Sequence, residues 1–177
     1  MSESVYDVMG QKCKSKHTEQ SAFREKLVEH LFVGELLKLS WQRDKCDLEV
    51  AKPEVDNSGY DIIAEANRVV RHIQLKASYN GGKTATQKVH MRLAEKPSGC
   101  VIWVVFDEKT LLLGPFFYFG GKVGEPLPSL EKARVAKHTK GDQSGNKAER
   151  PHIRVLKKGD FTRYNSITEI NLALFGV

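Results

Sequence analysis

The chain reads as an α/β domain in which a central mixed β-sheet is flanked by helices. Three stretches carry that reading. Residues 20–39 place apolar side chains at helical spacing, residues 60–77 hold two short apolar segments around a polar connection, and Cys100–Phe106 (CVIWVVF) is a nearly unbroken apolar run. With 177 residues, 40% of them apolar, the chain is long enough to close one core, so a single domain over residues 1–177 is expected.

The elements follow in order. Residues 1–19 are a polar N-terminal segment without the apolar centre of a signal sequence. From Gln20 to Leu39, Phe23, Leu27, Leu31 and Leu39 recur at helical spacing, with Val28, Phe32 and Leu36 flanking them and Glu25, Glu29 and Glu35 between. Glu29 falls on the flank of this apolar stripe. Asp47 to Val55 reads as a first strand broken at Pro53, with a turn through Asp56 to Gly59. Tyr60–Ala64 and Val69–Ala77 read as strands, joined by a hairpin connection at Glu65–Arg68 that contains Asn67. Thr86 to Glu95 is expected to be a short helix. Cys100–Phe106 has the composition of a strand buried on both faces. In Leu111–Phe119, the Gly114-Pro115 pair marks a bend or an edge position. Ile153–Leu156 is a late strand, and Asn165 or Ser166 caps a final helix through Ile167, Ile170, Leu174 and Phe175.

The hairpin is the stretch that bears chemistry. Asp61 is the only charge on its strand before Glu65. Gln74 and Lys76 lie two apart and share a face, while Ile73, Leu75 and Ala77 take the other. Antiparallel pairing brings Asp61 beside Gln74 and Lys76. Charges so placed are costly to bury unless they are paired or bound to a metal. Plainer readings fit the same residues. Asp61 and Lys76 can form a cross-strand ion pair worth under ~1 kcal/mol. Glu29 can be a helix-surface carboxylate beside Lys26 or His30, with Glu35 its competitor, and Gln74 can be an ordinary strand residue.

The order of these segments, EHLFVGELLKLSW, then GYDII, then IQLKAS, resembles the PD-(D/E)xK nuclease superfamily, which includes archaeal Holliday junction resolvases and many restriction endonucleases. The resemblance spans roughly residues 20 to 80, and less closely the strand at 100–107. It implies a restriction-endonuclease-like core and a catalytic cluster of Glu29, Asp61, Gln74 and Lys76. Gln74 stands where the basic signature has an acid, a replacement that some branches share. The implied cofactor is Mg²⁺ (or Mn²⁺), held by Asp61, the Gln74 side-chain oxygen, the Leu75 backbone carbonyl and Glu29. Lys76 would orient the attacking water or neutralise the phosphate. A neutral Gln leaves the site one negative charge short and so predicts weaker metal affinity. A homodimer is a further expectation from the superfamily.

Charge agrees with a nucleic-acid partner, for which the resemblance, not the charge, implies DNA. The net charge is +6 and the pI about 9.2, a balance that attracts polyanions. Nine basic residues from Lys132 to Lys158 stand against Asp142 and Glu149 alone. Residues 133–152 lack apolar periodicity and read as a mobile basic loop, in which Lys137, Lys140, Lys147 and Arg150 are candidates for backbone phosphate. The alternative reading of that loop is a tolerated insertion kept solvated by its charges. Cys13, Cys46 and Cys100 are odd in number and widely spaced, which indicates neither a disulfide framework nor a zinc site and fits a reducing cytoplasm. The six histidines form no ligand motif, no run approaches a membrane span, and no Walker loop, dinucleotide fingerprint or nucleophile elbow is present. The functional expectation is a metal-dependent nuclease. The alternative is a nucleic-acid-binding module on the same fold that does not cut.

Overall fold

The computed structural model describes residues 19–55, 58–139 and 145–177. The N-terminal segment through residue 18, the expected turn at Asp56-Asn57, and Lys140 lie outside the described residues. The elements are α1 (Ser21–Gln42), β1 (Glu49–Ala51), β2 (Ile62–Ala66), β3 (Val69–Tyr79), β4 (Thr86–His90), a 3₁₀ turn (Met91–Glu95), β5 (Gly99–Phe106), β6 (Leu113–Gly120), β7 (Arg134–Lys137), β8 (Glu149–Lys157), β9 (Thr162–Tyr164) and α2 (Ile167–Phe175). They form three layers. A six-stranded sheet, order β1-β2-β3-β5-β6-β9, carries the helices on one face and a three-stranded sheet, β4-β8-β7, on the other. The large sheet is mixed: β3 and β5 run parallel and every other neighbouring pair antiparallel.

β5 shows why the apolar run is unbroken. Cys100, Ile102, Val104 and Phe106 join the cluster beneath α1 and α2, while Val101, Trp103 and Val105 join the cluster under the second sheet. Alternation sends successive side chains into two different cores, so no position is left for a polar residue.

In α1 the buried line is Val28, Phe32, Leu36 and Leu39, whereas Phe23 is 70% exposed. The helix is therefore rotated from the expected stripe toward its flank. That rotation draws Glu29 under the edge.

The β2–β3 hairpin turns through Asn67 and Arg68, both at positive φ (49° and 60°), the two-residue geometry whose twist matches the flanking strands. Asp47 accepts the Asn67 N–H at 3.0 Å and the Ser40 hydroxyl at 3.3 Å, tying the turn to the end of α1. These bonds, the Asn67 N–H foremost, hold the Asp47 carboxyl below the usual carboxylate range against a smaller opposing effect of burial. Arg71, wholly buried on β3, donates to the carbonyls of Leu174 (2.8 Å) and Ala173 (3.3 Å). A cation thus neutralises the negative end of α2 inside the core. At the other end of α2, Ser166 rather than Asn165 is the cap and accepts the Glu169 N–H at 3.2 Å.

Several segments differ from their sequence reading. The first strand of the hairpin runs Ile62–Ala66 rather than Tyr60–Ala64, so Glu65 lies within the strand, Asp61 lies just outside it, and Asn67-Arg68 alone make the turn. Thr86–His90 is a strand, paired with β8 from Thr86↔Lys157 to His90↔Ile153, and only Met91–Glu95 turns helically. Within the expected basic loop, Arg134–Lys137 and the start of β8 are antiparallel strands, with Lys137 opposite Glu149 and Ala136 opposite Arg150. Pro115 falls where the β5–β6 register slips, between Val104 and Phe106, so its missing N–H interrupts no regular ladder.

Candidate active site

Asp61 sits one residue before β2, at a bend. The regular register pairs Ile62 with Ile73, yet the Asp61 N–H reaches the same Ile73 carbonyl at 2.8 Å, one step out of phase. The chain leaves the ladder there, and the Asp61 carboxylate takes over as ladder acceptor, receiving the Leu75 N–H at 2.6 Å. A charge-assisted bond of that length fixes the carboxylate against β3.

Gln74 follows from the alternation of β3. Ile73 is buried in the helix-side core, with Leu75 and Ala77 packed against it, so Gln74 and Lys76 point the other way. Gln74 is 8% exposed, and its Oε1 has no hydrogen-bond partner in the protein. An orphaned acceptor of this kind costs about 1–3 kcal/mol, a cost that a bound cation or a water would remove.

Glu29 is 4% exposed, on the edge of the buried line of α1. Lys26 Nζ lies 3.0 Å from its Oε2, and Lys52, just beyond β1, binds its Oε1. Burial alone would push this carboxyl up, but the ammoniums of Lys52 and Lys26 outweigh it and hold the group below its ordinary range. Glu29 is therefore a buried anion at neutral pH. Its competitor Glu35 is half exposed and paired with Lys38.

These groups share one cleft of about 680 Å³. Glu29 comes from α1, Asp61, Gln74, Leu75 and Lys76 come from the hairpin, and Thr86, Gln87 and Lys88 of β4 form the far wall. All four predicted catalytic residues thus line a single concavity where the three layers meet. The lining also includes Arg24, Lys26, Lys76 and Lys88 against Glu25, Glu29 and Asp61, four cations to three carboxylates, a surplus suited to a phosphate. Sequence reasoning missed Lys52 and the β4 wall. Lys52 lies 23 positions from Glu29 in sequence, and no local pattern links them.

The cleft offers side-chain oxygens from Glu29, Asp61 and Gln74, the donor type a hard divalent cation takes. Among the described residues no group of three or more His, Cys, Asp and Glu side chains is placed to hold a metal. The donor set here is instead two carboxylates and an amide, and the orphaned Gln74 Oε1 is the atom that fits a cation best. Cys100 offers no competing chemistry, because burial pushes its thiol up to about 12. Of the proposed phosphate contacts, Lys137, Lys147 and Arg150 are exposed on the β7–β8 hairpin, away from this cleft. No helix among the described residues is long and apolar enough to cross a membrane.

No family model matches the chain, and no curated protein does. Among solved structures the chain is similar to a bacterial homing endonuclease, I-Ssp6803I, with 20% identity and a TM-score of 0.31. That match covers 54% of this chain and 64% of the endonuclease. The class defined by fold and site together is an α/β domain with a mixed central sheet and a basic, oxygen-lined cleft at one edge.

Proposed function

We propose that this chain is a metal-dependent nuclease that hydrolyses phosphodiester bonds of nucleic acid, DNA in the first instance. The observation that carries the reading is the buried Gln74 Oε1, left without a partner in the same cleft as an anchored Asp61 carboxylate and the buried Glu29 anion. Asp61, Gln74, Glu29 and the Leu75 carbonyl would hold Mg²⁺ or Mn²⁺. When bound, such an ion supplies Lewis-acid stabilisation of phosphate charge and a more acidic water.

The protein's own residues divide the remaining work. The Leu75 N–H keeps Asp61 oriented, so that its carboxylate needs no reorganisation on binding. Lys26 and Lys52 keep Glu29 ionised despite its burial. Lys76 places an ammonium on the cleft wall, where it can meet a scissile phosphate or orient a water. Arg24 and Lys88 add the surrounding positive field.

The rival reading is a module that binds nucleic acid without cutting, and one observation favours it: both oxygens of Glu29 are engaged by lysines. Parallel gel-shift and cleavage assays separate the two. Wild type should cut DNA in Mg²⁺. Lys76→Ala should lose on the order of 10² or more in rate while retaining its affinity, because it removes one positioned charge among 28 lysines and arginines. A wild type that binds but does not cut would support the rival.

A further inference from the structure

Beside the candidate active site lies a second cleft of about 810 Å³, and Thr86 lines both. Its basic residues are Lys132, Arg134 and Lys157, against one carboxylate, Asp160, whose Oδ2 already accepts the Lys157 N–H at 2.6 Å. The strand register places these cations in order. Lys88 and Arg134 both lie opposite Val155 on β8, and Thr86 lies opposite Lys157. Residues directly opposite share a face, so Lys88, Val155 and Arg134 form one cross-strand row and Thr86 and Lys157 the next. The other face carries Val89 and Leu156 into the core. Val155 and Thr86 separate the cations, so none stands directly opposite another.

We infer that this outer face of the three-stranded sheet is a track for a nucleic-acid phosphate backbone, leading the strand from the candidate active site into the second cleft. The inference rests on the nuclease reading above. The track is short-range and blind to sequence, because exposed lysines and an arginine spaced along a sheet meet phosphates, and among the described residues no helix lies on it to read bases. It also differs in place from the hairpin cations Lys137, Lys147 and Arg150, which line neither cleft.

The test compares two variants of the full chain by gel shift in EDTA, across a salt series, on several unrelated duplexes. One is the cleft triple Lys132→Gln, Arg134→Gln, Lys157→Gln. The other is the hairpin triple Lys137→Gln, Lys147→Gln, Arg150→Gln. All six positions are exposed, and an unchanged thermal midpoint verifies that each variant folds. The cleft triple should flatten the dependence of log affinity on log salt by up to ~0.9 for each phosphate it no longer neutralises, equally for every duplex, and the hairpin triple should not. Flattening by the hairpin triple alone, or no change in either, overturns the track. Cleavage by wild type with Mg²⁺ is scored alongside. If wild type cuts and the cleft triple keeps the full slope, the track alone fails. If wild type does not cut and the cleft triple flattens the slope, the track stands as a binding surface and the nuclease reading fails.

Discussion

At the residue scale the informative atom is Gln74 Oε1. A buried amide oxygen without a protein partner costs free energy, and the proposed cation would remove that cost. Methionine has a similar volume and no oxygen, so Gln74→Met should leave thermal stability in EDTA unchanged or raised. The same substitution should abolish the rise in midpoint that Mg²⁺ produces in wild type. At a hundredfold excess over Kd that rise corresponds to about 2.7 kcal/mol, or roughly 5–10 °C for a chain of this size. Thermal melts with and without the ion check it. A destabilised variant that keeps the full rise would make Gln74 structural. The place of Gln74 on the same strand face as Lys76 was legible in the sequence, from their two-residue spacing. Its orphaned oxygen was not, since that depends on which atoms surround a side chain. Lys52 was invisible for the same reason. Its ion pair with Glu29 exists only because β1 ends beside α1.

At the element scale, reading succeeded where one period dominates a segment. The β2–β3 hairpin, the doubly buried β5 and the capped α2 each carry a strong local pattern. Thr86–His90 failed because its alternation is short and mostly polar; it is a strand because β8 supplies the pairing partner, 67 positions beyond in the middle of the strand, where Lys88 meets Val155. The rotation of α1 was also hidden. Phe23, Leu27 and Val28 are all apolar, and only packing decides which line is buried. The hairpin turn yields a prediction at this scale. Arg68 adopts φ 60°, a region that costs an L residue roughly 1–2 kcal/mol and glycine little. Arg68→Gly should therefore stabilise the protein by about 1 kcal/mol in urea unfolding, net of the glycine's greater unfolded-state freedom. A loss of stability would mean that the Arg68 side chain contributes more than its backbone costs.

At the scale of the whole molecule, the three layers place the chemistry. The helix layer delivers Glu29, the mixed sheet delivers Asp61, Gln74 and Lys76, and the second sheet closes the cleft with β4 and extends it with basic residues. The second sheet was the least legible part of the fold, because its strands come from residues 86–90, 134–137 and 149–157 and meet only after the chain has closed. The net charge of +6 describes attraction to a polyanion but not where it would dock; the two clefts are the location proposed for it. The nuclease proposal stands or falls on whether Asp61, Gln74 and Glu29 together form a divalent-cation site. Calorimetric titration of Mn²⁺ into wild type and Asp61→Asn decides it. Saturable binding to wild type and its loss in Asp61→Asn, with the fold intact, is the expected result. Equal binding by the two proteins, or none by wild type, would contradict it.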